Sequence, residues 1–271
     1  MLKNYVISIN SAELRRKHIA QEFGEQKIPF EFFDAVTPAH GLEKVTQYFI
    51  PNLVHYKYQT LGEKSCFMSH VLLLQKCIDD HLPYIAIFED DVLLGKNSQL
   101  FLKDDAWLRE RFPHEKESFI IKLETHLTPT NIKPDPNIKP YAERTFDTLC
   151  TSHGGAAGYI ISHAAARFVL DQLATLTCEE IKPIDILLFE TFLNHTDIKI
   201  YQLTPALCIQ EDRYNTENSK IKSQLQEERA ENWQKNPEPR KKRTLNERLI
   251  RALSKISRLI EKQNRQIITF K

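Results

Sequence analysis

The chain has 271 residues, with 37 Lys+Arg against 36 Asp+Glu and a formal net charge of +1. Its 41% hydrophobic and 10% aromatic content excludes disorder of the whole chain, and its length suffices for one α/β domain or two smaller ones. The charge is unevenly spread: residues 240–271 hold eleven of the basic residues and only Glu247 and Glu261, a net of +9, which leaves −8 on residues 1–239.

Five scattered cysteines, Cys66, Cys77, Cys150, Cys178 and Cys208, form neither a disulfide framework nor a metal-knuckle spacing, which fits a reducing cytoplasm. The N-terminus lacks a secretory-signal pattern, and no run reaches the roughly 18 apolar residues that cross a bilayer. Membrane contact is therefore expected to be peripheral.

In chain order, Tyr5 to Ile9 predicts a strand, followed by an amphipathic helix carrying Leu14, Ile19 and Phe23. Phe30 to Phe33 is an aromatic run leading to Asp34, and residues 37 to 60 read as loop. After Gly62, a helix is predicted over Cys66 to Ile78. Tyr84-Ile-Ala-Ile-Phe88 reads as a strand buried on both faces, and it stops at Glu89-Asp90-Asp91. Phe119 to Leu123 is another strand with Lys122 and Glu124 at its end. Pro129 to Pro140, with four prolines, reads as a loop. Gly154 to Gly158 precedes a strand over Tyr159 to Ser162 and a helix over Ala164 to Leu176. A helix over Ile186 to Asn194 and a last strand over Ile198 to Leu203 complete a β/α alternation, which places one α/β domain at residues 1–215. Residues 216–239 are a helical and linker segment. Thr244-x-x-Glu247 has the capping-box form, and Leu245, Leu249, Leu253, Ile256 and Ile260 predict a basic amphipathic C-terminal helix within 240–271.

Three adjacent carboxylates at the end of an apolar strand repel one another unless a cation compensates. Extended backbone would turn Glu89 and Asp91 to one side and Asp90 to the other. Oxygen ligands of this kind suit Mg²⁺ or Mn²⁺, and the carboxyl ends of strands are where open α/β sheets bind ligands.

These residues resemble glycosyltransferase family 25, the lipooligosaccharide biosynthesis glycosyltransferases. The segment YIAIFEDDVLL is similar to the family's acidic motif. YVISINSAELRRKHI, IPFEFFDAV, LGEKSCFMSHVLLLQKCI, GGAAGYIISHAAARFVL and PIDILL resemble its other segments in order. The resemblance covers residues 1 to about 220 and implies a GT-A type fold, a UDP-sugar donor, a divalent metal and a glycolipid oligosaccharide acceptor. It puts the metal on Asp91 and Glu89. Donor contacts are expected at Ile9, Arg16, Asp34, Lys64, Ser69, His70, Glu89, Asp90 and Gln210. No histidine stands at Gln210, which leaves the third metal ligand open. Arg15 and Arg16 are equivalent on sequence grounds.

Inverting transfer requires a base opposite the leaving group, and Asp185 is the first candidate, with Glu124 the second. A cap at the start of a helix is the plain structural role for Asp185; an ion pair with Lys122 or Arg144 is that for Glu124. The expected enzyme moves a hexose, galactose before glucose, from its UDP donor at the cytoplasmic face of the inner membrane, with residues 240–271 on the anionic surface. A phosphohydrolase is disfavoured because no Asp-x-Asp nucleophile pair with its Thr/Ser and Lys elements is present. Nucleic acid is disfavoured by the −8 body, and a non-enzymatic membrane adaptor is the remaining class.

Overall fold

The computed structural model describes residues 2–113, 117–216, 219, 221, 224–237 and 262–271. Its strands are β1 Lys3–Ser8, β2 Glu31–Asp34, β3 Tyr84–Glu89, β4 Val92–Leu94, β5 Phe119–Lys122, β6 Pro129–Thr130, β7 Ile132–Pro134, β8 Thr145–Leu149, β9 Gly158–Ser162, β10 Lys199–Thr204, β11 Cys208–Gln210 and β12 Gln266–Ile267. Its helices are α1 Glu13–Glu25, α2 Leu42–Phe49, α3 Pro51–Val54, α4 Leu61–Asp79, α5 Gln99–Leu102, α6 Ala106–Arg111, α7 His163–Ala174, α8 Ile184–Ile186, α9 Glu211–Tyr214 and α10 Gln224–Lys235.

Eight strands form one mixed sheet in the order β2-β1-β3-β9-β5-β10-β8-β7. β1 lies parallel between β2 and β3, while β9 runs antiparallel between β3 and β5. This arrangement sets the ends of β1, β2, β3 and β5 beside the start of β9: Ser8 pairs with Asp34, Ile7 with Glu89, Phe88 with Gly158 and Lys122 with Tyr159. The sheet is covered on both faces, which is why β3 is apolar without alternation. One core joins Ile85 and Ile87 to α4 and α7; the other joins Ala86 and Phe88 to α1, α5 and α6. The expected α/β class is met. Among the described residues no helix is long and apolar enough to cross a membrane.

Helix α4 begins at a reciprocal cap: the Glu63 amide donates to Thr60 Oγ1 at 3.0 Å, and the Thr60 amide donates to the Glu63 carboxylate at 2.9 Å. The cap fixes the height at which Cys66 and His70, one helical turn apart, meet the end of β3.

Several predicted elements differ. Residues 37–60 are not loop throughout but carry α2 and α3, because Leu42, Val45, Phe49 and Leu53 pack against the core. The proline-rich stretch contributes β6 and β7, with β7 at the sheet edge, where Pro134 costs no interior hydrogen bond. The helix expected over Ile186 to Asn194 is a turn of α-helix followed by π-helical Leu187–Thr191 and 3₁₀ Phe192–Asn194.

The helical piece expected within 216–239 is present as α10. The predicted amphipathic face of the tail, Leu245 to Ile260, lies outside the described residues. The helix does not run to residue 271: β12 pairs antiparallel with β6, Ile268 is 1% exposed, and Thr125 Oγ1 donates to the Ile268 carbonyl at 2.7 Å. The apolar side chain of Ile268 and the unsatisfied edge of β6 together explain why these residues extend along the domain. The α/β domain therefore includes residues beyond 215.

Candidate functional site

A cleft of about 630 Å³ opens at the carboxyl end of the sheet, between the ends of β1 to β3, the start of α4, the Gly155 loop and α10. That volume falls in the range of small-molecule sites. Glu89, Asp90 and Asp91 form its floor; β3 ends at Glu89, and the chain turns through the two aspartates into β4. Strict strand alternation therefore does not orient them, and neighbouring side chains do.

Asp90 accepts from Ser8 Oγ at 2.7 Å and from Arg15 Nη1 at 2.6 Å, and the same guanidinium nitrogen lies 3.3 Å from Asp91. Gln210 Nε2 lies 3.4 Å from Glu89 Oε2 and 3.4 Å from Asp91 Oδ1, so two carboxylates still converge on one point. On its other side Glu89 Oε1 is 3.7 Å from the Cys66 thiol and 3.6 Å from His70 Nε2.

The charges in this floor are unbalanced. Burial pushes Asp91 up to about 8, with Glu89, Asp90 and Asp212 adding repulsion that Arg15 only partly offsets. Burial acts the same way on Glu89, yet the neighbouring His70 imidazole, Arg15 and the Cys66 thiol hold it below its ordinary value. Burial foremost, and then repulsion from Glu89, raise the Cys66 thiol, so it is a poor nucleophile as it stands.

The opposite wall is built on Gly155, whose φ of +84° favours glycine. Its amide donates to Asp185 Oδ2 at 3.0 Å, which holds that carboxylate at the cleft edge. Beneath the loop sits Glu124, 0% exposed, accepting from the Ala157 amide at 2.8 Å and from Lys122 at 3.2 Å. Lys122 also donates to the Gly155 carbonyl and lies 4.1 Å from the Phe189 ring centroid. A side chain at Gly155 would meet the Glu124 carboxylate at 2.5 Å, so the loop lies directly on that pair. Burial raises Glu124 to about 7 against the opposing pull of Lys122.

The predicted residues thus divide into groups. Ile9, Glu89, Asp90, Asp91, Asp185 and Gln210 line the cleft. Glu124 does not: it is sealed under Gly155 in the Lys122 ion pair, out of reach of an acceptor hydroxyl. Arg16 and Asp34 pair with each other and are absent from the lining, and Arg15, not Arg16, reaches the acidic floor. Lys64 is buried and donates to the Val54 carbonyl at 2.9 Å, because its stem packs at the start of α4. Ser69 accepts from the Val36 amide at 3.0 Å and is buried, a tie between α4 and the chain after β2. His70 lies under Glu89 with Nδ1 2.9 Å from the Tyr159 hydroxyl.

Sequence reasoning passed over Cys66, His126, Asp212 and Arg213, all of which line the cleft. Burial first, then Arg213 and Lys122, push His126 down to about 4, so it faces the cleft as a neutral imidazole near pH 7. Asp212 and Arg213 stand directly after Gln210 in the chain, and that adjacency was a usable signal.

The donor set suits a hard divalent cation. Carboxylate oxygens of Glu89 and Asp91 face one amide group, whose oxygen and nitrogen exchange places by a simple flip, giving a third oxygen ligand from Gln210. The partial positive charge of the Gln210 NH₂ occupies the point where such an ion would bring its full charge.

The family described as glycosyltransferase family 25 (LPS biosynthesis protein) matches residues 1–188. The chain is similar to the lipooligosaccharide biosynthesis protein lic2B of Haemophilus influenzae, at 44% identity over 99% of this chain and 97% of the relative. It is also similar to the lacto-N-neotetraose biosynthesis glycosyltransferase LgtB of Neisseria meningitidis serogroup B, at 42% identity over 98% and 97%, and to LgtE of Neisseria gonorrhoeae, at 44% over 85% and 82%.

Proposed function

The chain belongs to glycosyltransferase family 25, and we propose that it transfers a hexose, galactose from UDP-galactose, to a lipooligosaccharide acceptor with inversion and with help from Mn²⁺ or Mg²⁺. The observation that carries this reading is the convergence of Glu89, Asp91 and Gln210 on one point of the cleft floor, with Asp185 held on the facing wall. The names of the relatives support an oligosaccharide acceptor. UDP-glucose is the alternative donor within the same chemistry.

Glu89, Asp91 and Gln210 would hold the cation. When bound, it neutralises charge on a departing diphosphate. Arg15 keeps Asp90 and Asp91 in register with each other, and Ser8 fixes Asp90 from β1. Asp185 is the base of this proposal: the Gly155 amide orients one carboxylate oxygen, leaving the other to accept a proton from the acceptor hydroxyl. Glu124 supports the same loop from below without touching substrate. Neutral His126, with Arg213 and Asp185 both near it in the cleft lining, and Arg213 itself would serve as donors for sugar hydroxyls or phosphate.

In this reading the enzyme works at the anionic cytoplasmic face of the inner membrane, engaged through the basic charge of residues 240–271, and takes no nucleic acid. Incubation with UDP-galactose, Mn²⁺ and a terminal glucoside should release UDP and yield a β-linked product. Asp185→Asn should lower kcat by about 10²–10⁴-fold with a smaller change in KM. Transfer to the α-anomer would overturn the inverting assignment, and a preference for UDP-glucose would move the donor to the alternative.

A further inference from the structure

The geometry points to a second cation site in the cleft floor, formed by Cys66, His70 and Glu89 and suited to a borderline-soft divalent ion, zinc above all. It lies beyond the proposed transfer chemistry, which uses the other face of Glu89. One ligand atom from each residue lies within 4.8 Å of the others. Cys66 and His70 stand four residues apart on α4, so they share one face of the helix. The separations of Glu89 Oε1, 3.6 Å to His70 Nε2 and 3.7 Å to Cys66 Sγ, match the ligand-to-ligand edges of about 3.3–3.8 Å that tetrahedral zinc sets with its ~2.0–2.3 Å bonds.

An independent observation concerns His70. The residue is fully buried and its Nε2 makes no hydrogen bond of normal length, its nearest partner being Glu89 Oε1 at 3.6 Å, while Nδ1 is 2.9 Å from the Tyr159 hydroxyl. A buried ring nitrogen left open is costly, and here it is aimed at the carboxylate and thiol. With a cation in place, the Tyr159 oxygen can accept the Nδ1 proton and Nε2 can turn a lone pair to the metal instead of a proton to Glu89, the arrangement that metal-bound histidines use. Binding would displace the Cys66 proton to solvent and leave a thiolate ligand. Cys66 and Glu89 both line the cleft, so a fourth position opens toward it. Three protein ligands and an open position distinguish the site from a closed structural zinc. Thiol and imidazole also separate its preference from the all-oxygen point at Asp91.

The test uses the full chain, stripped with a chelator and titrated with Co²⁺ as a spectroscopic substitute for zinc. The first equivalent of Co²⁺ should give a thiolate-to-cobalt charge-transfer band with the intense ligand-field bands of a four-coordinate ion, and Zn²⁺ should abolish both. Cys66→Ser should lose the charge-transfer band, and Tyr159→Phe should weaken binding about tenfold or more. X-ray absorption of the wild-type chain with Zn²⁺ should show one sulfur ligand, a result that needs no variant to fold. Absence of stoichiometric binding, binding without the thiolate band, or a band that survives in folded Cys66→Ser would each overturn the site. Mn²⁺-supported UDP release by the wild-type chain is read separately, so this inference and the proposed transfer reaction can fail independently.

Discussion

Carboxylates stand at the ends of two strands on the same edge of the sheet, β3 and β5, yet their surroundings make them different kinds of group. The Glu89–Asp91 floor opens to the cleft and is short of positive charge, with Asp91 raised to about 8. Glu124 is closed over by the Gly155 loop, paired with Lys122 and tied to the Ala157 amide. A strand end alone does not make a site. The covering segment decides: a turn into β4 leaves the first group exposed to ligand, and a glycine loop leading into β9 seals the second.

The largest expected contrast is in turnover. Asp91→Ala should cost on the order of 10³-fold in kcat/KM through loss of several kcal/mol of charge stabilisation, whereas Glu124→Gln should leave the rate within about tenfold. A folded Glu124→Gln as inactive as Asp91→Ala would erase the distinction and restore Glu124 as a base. Next comes stability. Glu124→Ala leaves Lys122 buried without its partner and should destabilise the fold by about 3–5 kcal/mol, measured by denaturant unfolding.

Gly155→Ala should cost about 1–3 kcal/mol, since its backbone is left-handed and its new methyl would press on the Glu124 carboxylate. Equal stability to wild type would mean that the loop does not lie on the pair as described. The smallest effect is a pH dependence. Folded Asp91 keeps its proton where the unfolded chain has lost it, so its contribution to metal-free stability is complete below its ordinary 3.8 and disappears as pH rises through about 8. Asp91→Asn should therefore gain a few degrees of Tm over wild type at pH 8 and little at pH 4. A gain at low pH instead would contradict the sign.

Much of this architecture was legible from residue patterns. The apolar run of Tyr84 to Phe88 marks a strand covered on both faces, and the acidic triplet after it marks the cleft. The spacing of Leu42, Val45 and Phe49 was a readable helical signal within a stretch otherwise rich in loop-forming residues. Thr60 and Glu63 likewise spell a capping box at the true start of α4.

Other features depend on relations that a linear pattern does not carry. Which of Arg15 and Arg16 meets the acids is set by the phase of α1 over the sheet. The sealing of Glu124 results from β9 entering antiparallel between β3 and β5, a matter of strand order rather than composition. Lys64 was expected to face phosphate because it is basic, but its ammonium finds a backbone carbonyl within the same layer.

The docking of residues 262–271 alters what the basic stretch before them can be. Both flanks of residues 238–261 are secured to the same body: Arg229 of α10 to Glu63, and β12 to β6. Thr125, which grips the Ile268 carbonyl, also donates its amide to the Cys208 carbonyl at the start of the strand presenting Gln210. Truncation at residue 240 would therefore do more than discharge a surface; it would withdraw a prop from behind the Gln210 wall of the cleft. Neutralising Arg240, Lys241, Lys242 and Arg243 by substitution changes the charge and leaves that prop in place, so vesicle binding and turnover become separable quantities.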